Sequence, residues 1–155
     1  HNTDAEGRLI LADGLSLAVE DKPEAIIDIA TLTGAAMAAL GPDIAAVLGT
    51  GSKVVEQLTE SAEATGEPIW EMPLEKARYR KLLDSNVADM RNIGGPYAGC
   101  ITAAIFLSEF TADVPWAHLD IAGTMKVDGD ESWRSKGATG FGTRLLIDAV
   151  MNWSA

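Results

Sequence analysis

The hydrophobic positions change period along the chain, and each change marks a new element. Leu9, Leu11, Ala12, Leu15, Leu17, Ala18 and Val19 recur at helical spacing and predict a helix of about three turns that ends before Pro23. Ala25 to Leu32 (AIIDIATL) is a short β-branched apolar run, the pattern of a buried strand. Thr33-Gly34 breaks it, and the small residues from Ala35 to Leu40 predict a short helix. Ile44 to Gly49 (IAAVLG) predicts a second buried strand. Ser52 to Thr65 is amphipathic, with Val54, Val55, Leu58 and Ala62 on one face and Gly66 as its stop. Leu74 to Leu83 (LEKARYRKLL) predicts a charged helix, and Val87 to Met90 a short strand. Asn92 to Gly99, rich in glycine and containing Pro96, predicts a loop. Ile101 to Phe110 predicts a strongly apolar helix and Trp116 to Ile121 a third buried strand. A polar segment, Val127 to Ser135, precedes a closing amphipathic helix from Gly140 to Trp153.

Strands alternating with helices indicate an α/β layered domain with a largely parallel sheet. Sites in such sheets lie beyond the carboxyl ends of strands. Thr31-Leu32-Thr33-Gly34 and Ala122-Gly123-Thr124-Met125, each following a predicted strand, occupy that position.

Composition narrows the function. The chain has 155 residues, 47% of them hydrophobic, the size and make-up of one globular domain. It carries 12 basic and 23 acidic residues, a net charge of -11. That balance argues against a nucleic-acid partner, because phosphate binding needs a basic surface. It favours cations near any cluster of carboxylates. Cys100 is the one cysteine, so no intrachain disulfide can form, which fits a reducing, cytoplasmic setting. No apolar run reaches the roughly 18 residues of a spanning helix, so no membrane is expected as a partner. The first residue is His1, directly before a dense polar motif rather than in a loose linker, so the start is read as a cut.

That motif carries the chemistry. Asp4, Glu6 and Arg8 are spaced i, i+2, i+4, and in an extended segment they would project to one side. Two carboxylates converging on one point repel each other unless a cation sits between them. Hard oxygen donors suit divalent ions such as Mg, Mn or Zn. Arg8 cannot ligate a cation, and its planar fork suits an anion held beside the metals. Spacing alone fits equally well with surface charges, or with helix-start residues near a favourable dipole.

The longer string is specific. NTDAEGRLILADGL closely resembles the signature of the leucyl aminopeptidase family of metallo-exopeptidases. In the same order, DIATLTGA at 28–35, the glycine loop with TAAIFL at 102–107, WAHLDIAGTM at 116–125 and KGATGFG at 136–142 resemble further segments of that family. The resemblance implies a three-layer α/β/α domain with a largely parallel or mixed sheet, zinc-exopeptidase-like and truncated at the N-terminus. Residues 1–155 would be the C-terminal part of the catalytic domain, with an N-terminal domain and the first part of the catalytic domain absent. It further implies that Asp4 and Glu6 ligate a pair of divalent metals, Mn or Zn with Mg as an alternative, and that Glu6 bridges the pair. Arg8 would hold a bicarbonate acting as general base. Thr31, Leu32 and Gly34 would lie along the peptide substrate. Ala122 and Met125 would line the pocket for its N-terminal side chain, where a methionine wall suits apolar residues.

The activity so implied is release of N-terminal, leucine-like residues by two-metal hydrolysis, in a homo-hexamer. The family also needs a lysine and two aspartates as ligands and a second, catalytic lysine, all expected before His1. The isolated chain is therefore expected to be inactive. A related dipeptidase, for example one acting on cysteinylglycine, and a noncatalytic binding role are the alternatives.

Other reactive residues are read as structural. His118 lies inside an apolar run and reads as a buried histidine. Asp28 and Asp120, in similar strands, read as buried carboxylates that satisfy a loop. Cys100 reads as a small packing residue, Trp70, Trp116, Trp133 and Trp153 as core or interface residues, and Lys22, Lys53, Lys76, Lys81, Lys126 and Lys136 as surface residues.

Overall fold

The computed structural model describes residues 3–154, with Thr3 and Asp4 described by their backbone alone. In chain order the elements are α1 (Thr3–Glu20), β1 (Ile26–Ala30), α2 (Gly34–Leu40), β2 (Ala45–Gly49), α3 (Ser52–Thr65), β3 (Ile69–Glu71), α4 (Lys76–Tyr79), α5 (Gly99–Ser108), β4 (Trp116–Asp120), β5 (Lys126–Val127), β6 (Gly137–Ala138) and α6 (Thr143–Met151). A 3-10 turn, Arg80–Leu83, follows α4 directly.

Four strands form a sheet in the order β1-β4-β2-β3, and β5 pairs with β6 in a separate hairpin. β4 runs parallel to β1, with Ile26 opposite Trp116 and Ala30 opposite Asp120. It runs antiparallel to β2, with Ala46 opposite Asp120. β3 extends the sheet parallel to β2. The sheet is therefore mixed, and the carboxyl ends of β1 and β4 lie side by side.

Every residue of β4 is buried, and its alternation divides the core. Trp116 packs with Ala12 and Leu15 of α1, Ala36 of α2 and the apolar length of α5. His118 and Asp120 share that face by register. Ala117 and Leu119 face the other way, against Val54, Val55 and Leu58 of α3 and Leu145 and Ala149 of α6. Helices on both sides of one sheet make the three-layer α/β/α arrangement. Gly66 ends α3 in the left-handed region (φ 67°), donating its N–H to the Ala62 carbonyl, as its place after the amphipathic run predicts.

The structure corrects the sequence reading in four places. The Asp4-Glu6-Arg8 segment is helical, not extended. Arg8, Ala12 and Leu15 are all buried, at i, i+4 and i+7, so the buried stripe of α1 runs back into the motif and carries the helix with it. Leu74 to Leu83 is not one helix: α4 lasts a single turn, and the tighter 3-10 winding brings Leu83 fully into the core. Val87 to Met90 forms no strand. Val87 is 96% exposed, and a strand there would have no neighbour to pair with. β3 was not predicted, because three residues at a sheet edge, with Trp70 exposed, leave no periodic signal.

Candidate active site

Two turns lie beyond the carboxyl ends of β1 and β4, residues 31–34 and 121–125, and one side chain holds both. Asp120, the last residue of β4, is buried. Its Oδ1 accepts from the backbone N–H of Leu32 at 3.1 Å, Thr33 at 3.3 Å and Ala122 at 3.2 Å. Its Oδ2 accepts from the Thr33 hydroxyl at 2.6 Å. That hydroxyl in turn accepts from the Ala36 N–H at 3.0 Å and so caps α2. A carboxylate is an acceptor at both oxygens, and charge-assisted bonds of this kind are the stronger class.

The second turn is braced from two further sides. Ile121 N–H donates to the Ala30 carbonyl, and Met125 N–H to the Ile121 carbonyl. Thr139, just after β6, donates its N–H to the Met125 carbonyl at 3.0 Å and its hydroxyl to the Thr124 carbonyl at 2.6 Å. Gly123 lies so close to the 41–43 loop that a methyl group on it would sit 2.2 Å from the Gly41 carbonyl oxygen. No other residue fits there without moving the loop. The KGATGFG segment is thus a support: Thr139 holds the Met125 turn, and Gly142 starts α6.

Arg8 closes the site from α1. Its Nη1 donates to the Asn92 carbonyl at 2.6 Å, while Asn92 Nδ2 donates to the Ala5 carbonyl at 2.9 Å. This reciprocal clasp fixes the first turns of α1 to the glycine loop. Gly7 is on the same side, since a methyl group there would lie 3.9 Å from Leu32 Cδ1. Cys100, at the start of α5, joins Arg8 to the Asp120 group. Burial pushes its thiol up to about 12, the Asp120 negative charge adds to this, and a Thr33 hydrogen bond and the Arg8 charge pull the other way. A thiol held in this way stays protonated, as the packing role requires.

The residues singled out from sequence divide into groups. Leu32 and Ala122 come together on Asp120, Gly34 opens α2 beside them, and the charges of Arg8 and Asp120 both act on Cys100. Arg8 and Leu32 are buried, Thr31 and Gly34 are exposed, and Met125 is 39% exposed at the rim. Leu32 is covered as a whole residue, with its side chain in the core and its N–H on Asp120. Glu6 is exposed, and two residues along a helix place it roughly 200° around the axis from Arg8. His1 and Asn2 lie outside the described residues, as does the side chain of Asp4. Sequence reasoning passed over Thr33 and Asn92. Thr33 had a signal, a hydroxyl directly before a helix-forming run of small residues. Asn92 had none, because it acts chiefly through its backbone carbonyl.

Asp28 and the Nδ1 of His118 are committed elsewhere. Asp28 Oδ1 is 2.5 Å from His118 Nδ1, and Asp28 Oδ2 accepts from Trp116 Nε1 at 2.7 Å. Among the described residues, no three His, Cys, Asp or Glu side chains come together as a metal-binding set. Asp28 and Asp120 are taken up by these hydrogen bonds, and Glu6 is an exposed carboxylate on the other side of α1 from Arg8. The described donors do not by themselves fit a two-metal centre. An apolar cavity of about 340 Å³, lined by Glu24, Val54, Pro115 and Trp153 among others, lies at the opposite end of the strands and touches none of these groups.

Residues 1–147 match the catalytic domain of the cytosol aminopeptidase family. A probable cytosol aminopeptidase of Geobacter sulfurreducens is 50% identical over 95% of this chain and 29% of its own length. One from Roseiflexus castenholzii is 49% identical over 99% of this chain and 31% of its own. One from Prochlorococcus marinus is 51% identical over 100% of this chain, again 31% of its own. The chain thus spans about 30% of the length of these relatives.

Proposed function

The chain belongs to the cytosol aminopeptidase family, and from that premise we propose that it is the C-terminal part of the catalytic domain of a longer, metal-dependent aminopeptidase. The observation that carries this reading is the family match, which runs unbroken from the opening motif through both turns beyond the strand ends. The geometry supports it: Arg8, the 31–34 turn and the 121–125 turn converge on one corner of the sheet. The reading places Asp4 and Glu6 as donors to a pair of divalent ions, Mn or Zn, with the other ligands and the catalytic lysine contributed from outside these 155 residues. Held by Asp4 and Glu6 together with ligands from outside these residues, such metals would supply Lewis acidity for peptide hydrolysis. Arg8, a buried cation at the same corner, is read as the holder of a bicarbonate base.

The chain's own part in the reaction is to bind and orient. Thr31 and Gly34 offer exposed positions along the substrate, and Leu32, buried between them, anchors their turn. Ala122 and Met125 form the wall met by an apolar N-terminal side chain. Cytoplasmic location and hexameric assembly belong to the same reading.

Leucine p-nitroanilide tests it. The complete enzyme should turn it over and lose activity on chelation. The purified 155-residue chain, freed of host peptidases, should show a rate at least about a thousandfold lower, because most of the electrostatic stabilisation of the transition state is missing. Clear, chelator-sensitive turnover by the 155 residues alone would overturn the division of ligands. A complete enzyme inactive on every aminoacyl substrate tried would overturn the function.

A further inference from the structure

Asp120 stands outside the set of residues assigned to metal or substrate, yet it binds the backbone on which that set is mounted. Three amide hydrogens and one hydroxyl converge on its carboxylate, from two turns that are about 90 residues apart in sequence. One oxygen, Oδ1, is shared by both turns: it accepts from Leu32 and Thr33 on one side and from Ala122 on the other. Neither turn can shift without lengthening a bond to that atom. Asp120 itself cannot follow, because it ends a strand that is paired on both sides, to Ala30 and to Ala46.

We infer that Asp120 is a positioning residue that sets selectivity: it locks the 31–34 turn to the 121–125 turn at a fixed separation, and that separation decides which N-terminal side chain the enzyme accepts. The inference rests on the proposed function for its substrate and on geometry for its mechanism. The 31–34 turn carries the exposed positions Thr31 and Gly34, and the 121–125 turn carries Ala122 and Met125. On the proposed function the N-terminal side chain sits between the two turns, so the space left for it is set by one carboxylate. Small misplacements of positioned groups carry large rate costs, so a loosened pair of turns should blur discrimination before it abolishes binding. Thr33 extends the lock to α2, because its hydroxyl both donates to Asp120 and caps the helix.

The test compares Asp120→Asn, Thr33→Val, Thr33→Ser and Asp28→Asn in the complete enzyme. Asp120→Asn keeps the shape but removes the charge and one acceptor. Thr33→Val removes the hydroxyl alone, and Thr33→Ser restores it. Asp28→Asn alters an equally inward-facing carboxylate that touches neither turn. Steady-state kinetics on leucyl and alanyl p-nitroanilides should show kcat/KM for the leucyl substrate reduced at least tenfold in Asp120→Asn. The leucyl-to-alanyl ratio should fall at least fivefold, and Thr33→Val should follow in the same direction. Thr33→Ser should recover most of the loss, and Asp28→Asn should keep the parental ratio.

Hydrogen exchange provides a readout independent of turnover. In Asp120→Asn, peptides covering 31–36 and 121–125 should lose protection together. Should Asp120→Asn fail to fold, Thr33→Val carries the same comparison. A folded Asp120→Asn with the parental ratio overturns the inference, as does exchange that rises in one turn alone. If the parental enzyme cleaves no aminoacyl substrate, the function reading and the selectivity claim fall together, while exchange still decides whether the turns are coupled.

Discussion

In the middle of β1, Asp28 binds two side chains of the neighbouring strand; at the end of β4, Asp120 binds the backbone of two loops. The local strings are alike, Asp28-Ile29-Ala30 and Asp120-Ile121-Ala122, and the two carboxylates lie on the same face of adjacent parallel strands. What separates them is distance from the strand end. Asp28 is the middle residue of β1, with no turn beside it, and its carboxylate meets the side chains of Trp116 and His118 on β4. Asp120 is the last residue of β4, where the ladder stops and unpaired amides of the following turns point at it. An inward-facing carboxylate thus joins strands when it sits within a strand and organises loops when it ends one. The second arrangement is the one that can shape a site.

The comparison is broken most directly by truncation. Asp120→Ala leaves three amides and a hydroxyl without their acceptor in a site closed to water. Removing a partner from a buried charged network costs about 3–5 kcal/mol, and this is the expected loss in urea unfolding of the purified chain. Asp28→Ala strands two donors, His118 Nδ1 and Trp116 Nε1, and His118 Nε2 already lacks a hydrogen-bond partner among the described residues. Its side chain is 11% exposed, however, so water can reach the gap. About 1–3 kcal/mol is expected there. Equal losses for the two variants, or a larger one for Asp28→Ala, would show that the distinction between strand tie and loop tie has no energetic content.

The sequence made one of these roles easier to see than the other. Reading both aspartates as buried carboxylates satisfying a loop was right for Asp120 and wrong for Asp28, whose partners are Trp116 and His118. Period and turn residues located β1, β2, β4, α3 and the positions of both turns, because burial on one or both faces writes itself into hydrophobic spacing. They failed where structure rests on pairing between distant segments. The Arg8–Asn92 clasp joins residues 84 apart through a backbone carbonyl, which no side-chain pattern encodes. The opening motif was misread as extended because its polar residues hide the helical stripe that Arg8, Ala12 and Leu15 reveal once Arg8 is known to be buried. The site was legible as two turns and a motif. Their connection through Oδ1 of Asp120 was not.

Cys100 gives the smallest and most selective test of that connection, since its thiol feels the Asp120 charge directly. The folded-state value is raised from 9.0 to about 12, by burial first and by Asp120 second. For an acid whose folded pKa is raised, the folded chain keeps the proton that the unfolded chain gives up. Between about pH 9 and 12 the unfolded state therefore binds fewer protons, and stability falls as pH rises through that window. Below about pH 9 the thiol's contribution is fully present. The slope from this one group is at most about 1.4 kcal/mol per pH unit. Cys100→Ala should flatten the alkaline decline by that component, measured as unfolding free energy against pH from 8 to about 10.5. Asp120→Asn should flatten it only in part, because it removes the second cause and leaves burial in place. Asp28→Asn should leave the thiol's component as it was, its charge not being among those that act on Cys100. If Asp28→Asn moved the alkaline limb as much as Asp120→Asn, the two carboxylates would share one electrostatic environment, and the separation of mid-strand from strand end would have to be given up for charge even where it holds for hydrogen bonds.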